Sequence, residues 1–175
     1  MLKNLSVLFV IALLSACSMS SVESYIPFIG NEKKVIDLDR DNIDQKSYAA
    51  AYEATLATYK GRVNESFQVD NFASGAKNWY LGRILLPVEE IQQKLYSGSG
   101  HDSDIYAYYS GVLHAAALEQ NFNRLSPTCW SKIDSPSVTQ GIYDAMLDLR
   151  KGTERAENDE YIAAGSEALL RVCGD

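Results

Sequence analysis

The amino-acid sequence predicts an all-α protein, a single-domain bundle of about six helices. Over most of the chain, apolar residues recur every three or four positions, which is the spacing of one helix face. No segment alternates convincingly between apolar and polar residues, so no β-strand is expected. Proline, glycine and acidic residues punctuate the apolar stretches where helices begin and end. The helical domain is therefore placed over residues 44–175, a length that can bury a substantial core.

The first helix is predicted over residues 44–60, with Asp41 or Asp44 as its cap and Gly61 as its stop. Four large side chains share one stripe of this helix: Tyr48, Tyr52, Leu56 and Tyr59. Tyrosine packs well while keeping a polar tip. Such a face therefore suits either a half-buried helix or a protein interface.

Five further helices are expected over residues 71–82, 87–95, 104–121, 135–151 and 159–172. Asp70 is the expected cap of the second helix, and Ser135 followed by Pro136 predicts the start of the fifth, which Gly152 ends. The fourth helix is apolar on most sides, which is typical of a central, buried helix. Its His114 is expected to be a core or interfacial residue that makes one hydrogen bond.

Residues 1–16 have the features of a secretory signal. Lys3 supplies a positive start, and an apolar run of about ten residues follows, too short for a permanent membrane span. The segment Leu14–Cys17 resembles the lipobox of bacterial lipoproteins. That resemblance implies lipidation of Cys17 with several acyl chains, palmitate among them, which would hold the protein on a membrane. The alternative is an ordinary cleaved signal with an accidental cysteine.

The same resemblance implies where the protein resides. Ser18 stands where an aspartate tends to retain such lipoproteins at the inner membrane, so an outer-membrane lipoprotein facing the periplasm is expected. Residues 17–43 are interpreted as a tether and irregular segment before the helical domain. The formal net charge of −7 disfavours nucleic acid and anionic lipid headgroups as partners and suits a basic protein partner.

Two cysteines remain besides Cys17. Exported proteins occupy compartments where disulfides form, so one bridge between Cys129 and Cys173 is the economical interpretation. Two free thiols or a metal site are the alternatives, but no histidine cluster or second cysteine pair supports a metal. The bridge would close a loop of about 45 residues, for which the chain-entropy model predicts roughly 4 kcal/mol of stabilisation.

Two polar stretches have some features of a metal-binding or catalytic site. Asp37, Asp39 and Asp41 have the spacing that begins a calcium loop, but Tyr48 stands where the bidentate glutamate should be. An acidic helix start is the alternative interpretation. His101 lies beside Asp102 in the glycine- and serine-rich segment 97–104, but no nucleophile motif accompanies it. No catalytic residue, metal or cofactor is expected, and the predicted protein is not an enzyme.

The C-terminal half resembles the type VI secretion amidase immunity (Tai) family. The likeness rests on the tyrosine-x-x-glycine-aliphatic run Tyr108–Val112, on Cys129, on the helix start at Ser135, and on Ala168–Leu170 leading into Cys173. It implies an immunity protein that binds and neutralises a secreted effector such as a peptidoglycan amidase. The expected contact residues lie in one loop: Ser99, Gly100, His101 and Asp102. The alternative is a structural or assembly lipoprotein that holds an envelope protein with its tyrosine face or Trp79.

Overall fold

A computed structural model describes residues 41–97, 103–156 and 158–174. Within these ranges it contains six α-helices, one short 3-10 helix and no β-strand, which confirms the all-α prediction. The helices are α1 (Gln45–Tyr59), α2 (Val69–Tyr80), α3 (Val88–Tyr96), α4 (Ser103–Leu125), α5 (Ser135–Lys151) and α6 (Glu160–Cys173), with the 3-10 helix at Trp130–Lys132. All of them fall in one compact unit, Lys34–Asp175.

Helices α1 and α5 run parallel, side by side. The hydroxyls of Tyr48 and Tyr52 donate to Asp144 and Asp148 at 3.0 and 2.8 Å, so the same sequence offset recurs one turn later. Gly141 of α5 faces the backbone of α1, and a Cβ at this position would lie 2.4 Å from the carbonyl oxygen of Tyr48. A side chain here would therefore push the two helices apart.

Glycines also bring the other helices into close contact. A Cβ on Gly75 of α2 would lie 2.0 Å from the Tyr108 carbonyl oxygen, and one on Gly111 of α4 would lie 1.9 Å from the Phe72 carbonyl oxygen. These two glycines therefore let α2 and α4 cross backbone to backbone. Gly165 plays the same part where α6 crosses α1, since its Cβ would meet Ala49 at 2.5 Å.

The core forms between these crossings and contains His114, the histidine that the sequence predicts to be buried. His114 is 7% exposed, and its Nε2 lies 2.8 Å from Thr55 Oγ1. The Thr55 hydroxyl already donates to the carbonyl oxygen of Ala51, so it accepts the proton of His114 Nε2–H. Tyr59 and Phe72 flank the imidazole, with ring centroids at 5.1 and 5.7 Å.

The helix boundaries differ most from prediction in α2 and α4, and the cap differs in α5; α2 also ends at Tyr80 rather than at residue 82. Helix α2 begins at Val69 rather than after Asp70, because Val69 is buried in the core. The cap of α5 is Asp134, whose carboxylate accepts the Ser137 N–H, and Ser135 is already helical. Helix α4 extends to Leu125, because Phe122 in its last turns is still buried.

Candidate functional site

The most exposed aromatic side chains lie where α3 ends and α4 begins. Tyr96, the last residue of α3, is 89% exposed, and Tyr106 in the first turns of α4 is 47% exposed. These tyrosines stand on either side of the predicted contact segment in the chain. Tyrosine is enriched in protein interfaces because it offers a large, rigid apolar area together with a hydroxyl. We therefore treat the Tyr96–Tyr106 surface, defined by these two residues, as the candidate site.

The helices that carry this surface are anchored from below. Ile91 is fully buried and holds α3 against α4. The buried Tyr108, two residues after Tyr106, accepts a 3.0 Å hydrogen bond from Asn78 Nδ2 in α2. Burial raises the pKa of both Tyr108 and Tyr109, and the nearby Glu90 raises that of Tyr109 further. The hydroxyls of Tyr108 and Tyr109 therefore stay neutral near pH 7. The exposed Tyr96 and Tyr106 therefore lie on helices whose other faces are packed against the core.

Two acidic side chains lie on α3, at the opposite end of the helix from Tyr96. Glu89 and Glu90 occupy the first turn of α3, where they offset the helix dipole. Glu90 also forms an exposed ion pair with Lys94 at 3.3 Å. Exposed pairs of this kind add little stability, so their main effect is on the local charge.

The structure does not describe several predicted site residues. Cys17, Asp37 and Asp39 lie outside its ranges, as do the four loop residues named for partner contact, Ser99, Gly100, His101 and Asp102. The lipidation, calcium and loop-contact predictions therefore stay predictions. The disulfide, in contrast, is confirmed, with Cys129 and Cys173 joined at an S–S distance of 2.05 Å and both fully buried.

Two tyrosines of the α1 stripe belong to the interior, and Leu56 and Tyr59 are partly buried. Tyr48 and Tyr52 are 3% and 1% exposed. The guanidinium carbon of Arg155 lies 5.6–5.8 Å from the ring centroids of Tyr48, Tyr52 and Tyr161. Burial, together with the carboxylate of Asp148, raises the pKa of Tyr52 to about 12. Arg155 thus fastens the connection between α5 and α6 over the buried rings.

The buried histidine likewise belongs to the core, as predicted. Burial lowers the pKa of His114 to about 4, so the imidazole is neutral near pH 7. In the part of the chain that the structure covers, no three histidine, cysteine, aspartate or glutamate side chains are grouped to hold a metal ion. In the same ranges, no helix is long and apolar enough to cross a membrane.

A small helical domain, closed by one buried disulfide and preceded by a lipobox-like signal, has the architecture of a bacterial lipoprotein. The chain belongs to a family of uncharacterised lipoproteins, whose model matches residues 41–175. This membership indicates a membrane-anchored location in the cell envelope. A protein of Haemophilus influenzae, described only as uncharacterized, is 71% identical over 174 residues, which cover 99% of this chain and 97% of that protein. No solved structure matches the chain.

Proposed function

We propose that this lipoprotein is a non-enzymatic binding protein that holds a protein partner at the Tyr96–Tyr106 surface. The observation that carries the proposal is the exposure of these two tyrosines on either side of the predicted contact loop. A contiguous patch of exposed apolar side chains can mark a protein-interaction site, and tyrosine is enriched in such sites. An anchored domain with such a surface is suited to meet a partner close to the membrane.

Binding is favoured over catalysis by what surrounds the ionisable groups. Of the two histidines, His114 is buried and donates to Thr55, so it is unavailable to a substrate. The buried tyrosines Tyr48 and Tyr52 donate to carboxylates, and burial raises the pKa of each well above neutrality. Neither group is a general base near pH 7.

The partner class that we propose is a secreted effector, such as a peptidoglycan amidase, which the lipoprotein would neutralise. Two things support this choice: the resemblance of residues 108–173 to the immunity family, and the acidic charge of the chain, which complements a basic effector. In this proposal residues 99–102 enter the effector's active-site cleft, and Tyr96 and Tyr106 pack against its rim.

The test uses the lipidated protein purified from envelopes and a panel of secreted peptidoglycan amidases. We expect one of them to form an equimolar complex and to lose its hydrolytic activity. The variant Tyr96→Ser/Tyr106→Ser should lower the affinity at least tenfold, since interface tyrosines are frequent hot spots. Leu170→Ser is the matched control, because Leu170 is also exposed, at 57%, but lies on α6.

Two outcomes would contradict this proposal. If both variants bind the effector as well as the unmodified protein does, the Tyr96–Tyr106 surface is not the contact. If no amidase binds and crosslinking in cells instead joins this surface to a resident envelope protein, the immunity role is wrong and the assembly role replaces it.

A further inference from the structure

Both tryptophans of the chain contact the second half of α4, Trp79 through Glu119 and Trp130 through Phe122. Trp79 and Tyr80 end α2, and Trp130 begins the 3-10 helix. The rings of Tyr80 and Trp130 are 5.0 Å apart, and Trp130 also stacks on Phe122 of α4 at 5.9 Å. We call this the tryptophan surface, defined by five residues: Trp79, Tyr80, Leu81, Leu125 and Trp130. We propose that it rests on an anionic phospholipid membrane.

The polar contacts of these rings leave apolar area facing outward. Trp79 Nε1 donates to Glu119 Oε2 at 2.7 Å, and the Tyr80 hydroxyl donates to the Ala115 carbonyl oxygen. Both indoles are only half-buried in spite of these contacts. Leu81 directly follows Tyr80 and is 50% exposed, and Leu125, three residues after Phe122, is 46% exposed. Amphipathic rings beside exposed leucines are typical of side chains at a membrane interface.

The charge of this region is opposite to that of the whole protein. The two segments that form it, residues 77–88 and 120–133, contain no aspartate or glutamate, although the chain carries 23 of them. Their charged residues are all cationic: Lys77, Arg83, Arg124 and Lys132. Glu119, next to the second segment, is bonded to Trp79. Even with the carboxylate of Glu119 counted, the four cations of this region outnumber its acidic groups, on a protein whose net charge is −7.

This arrangement favours a lipid surface over other occupants. Basic side chains beside tryptophan and leucine gain from anionic headgroups and from the apolar boundary below them at the same time. As a lipoprotein the chain is held at a membrane, which raises the effective lipid concentration at this surface. The net charge alone disfavours anionic lipid headgroups. It is an average over the whole chain, however, and the fold separates the acidic positions from this basic region.

The proposal does not depend on the identity of the protein partner. Tyr106 and Leu125 lie near opposite ends of α4, about 28 Å apart at 1.5 Å per residue. The Tyr106 end of α4 can therefore hold a protein partner while its Leu125 end rests on the membrane.

Intrinsic fluorescence gives a direct test, because the chain has two tryptophans and both belong to the tryptophan surface. The lipidated protein is reconstituted into phosphatidylcholine vesicles with or without phosphatidylglycerol, using acyl chains brominated near the headgroup. With phosphatidylglycerol, we expect the emission to shift to shorter wavelength and the bromine to quench most of it. Arg83→Glu/Arg124→Glu should abolish at least half of the quenching, since each cation removed weakens attraction to the surface about fivefold.

The matched control reverses two cations elsewhere, Lys60→Glu/Lys151→Glu, at the C-terminal ends of the parallel helices α1 and α5. This variant should be quenched as fully as the unmodified protein, and all three proteins should melt at the same temperature. Equal quenching of both charge variants would overturn the proposal. Absence of quenching in phosphatidylglycerol would also overturn it, and capture of an acidic envelope protein by the tryptophan surface would then identify a protein site.

Discussion

The backbone N–H of Asp44 donates a 2.8 Å hydrogen bond to Ser137 Oγ, which belongs to a different helix. The reciprocal bond is also present, since the N–H of Asp134 donates to Ser47 Oγ at 3.0 Å. Each serine hydroxyl donates in turn to the cap carboxylate of its own helix. The starts of α1 and α5 thus share two serine hydroxyls and two aspartate carboxylates. The carboxylates offset the positive ends of the two adjacent helix dipoles.

Ser137→Ala should destabilise the protein by about 2 kcal/mol, because it removes a hydroxyl that both accepts and donates in a buried position. Urea unfolding followed by circular dichroism measures the loss. Ser135→Ala, two residues earlier, is the control and should change stability by less than about 0.5 kcal/mol. Equal losses in both variants would show that the shared cap contributes nothing special.

Gly111→Ala should destabilise the fold severely, by roughly 3 kcal/mol or more, because the new Cβ would lie 1.9 Å from the Phe72 carbonyl oxygen. Helices α2 and α4 would have to separate. The control is Gly82→Ala, which has a φ of +65° but no atom within 4 Å of the new Cβ, and should cost only about 1 kcal/mol. A Gly111→Ala protein that melts at the temperature of the Gly82→Ala protein would contradict the close crossing.

The buried His114 should make stability depend on pH. Its pKa is about 4 in the folded protein and about 6.5 when unfolded, so the unfolded chain takes up the proton first as the pH falls. Stability from this group is therefore complete above pH 6.5 and is lost progressively down to pH 4, by about 3 kcal/mol in all.

The measurement is the free energy of unfolding across that pH range, compared with the His114→Gln variant. The variant should be less stable at pH 7, because its amide fits the space between Tyr59 and Phe72 less well. It should also show a flatter profile between pH 6.5 and pH 4. An unchanged slope would mean that other groups cause the acid sensitivity.

The Cys129–Cys173 disulfide should resist mild reduction in the native protein, because both sulfurs are fully buried, and it leaves no thiol to alkylate. Intact mass after alkylation without reductant should show neither cysteine modified. The double variant Cys129→Ala/Cys173→Ala should lose roughly 4 kcal/mol, the chain-entropy value for this loop. Alkylation of either cysteine in the folded, unreduced protein would contradict the bridge.

Features that depend on neighbouring residues were predictable. Gly152 was expected to end α5, and it takes the left-handed conformation with φ 65° and ψ 38°. Asp44 was expected among the caps of α1, and its carboxylate accepts the Ser47 N–H. Asp70 misled the prediction, because an acidic residue before an apolar stripe has the form of a cap. In the fold it instead accepts a 3.3 Å hydrogen bond from Tyr143.

The sequence by itself determined the helical class, most helix ends and the pair of cysteines free to bond, because periodicity and capping act over one or two turns. Only the tertiary structure decided which faces are buried. It enclosed Tyr48 and Tyr52 beneath Arg155, and it left Tyr96 and Tyr106 in water. It also brought the ring of Tyr80 within 5.0 Å of that of Trp130, about 50 residues along the chain. Such meetings depend on how closely whole helices cross, which small residues such as Gly75 and Gly111 set and local sequence patterns do not encode.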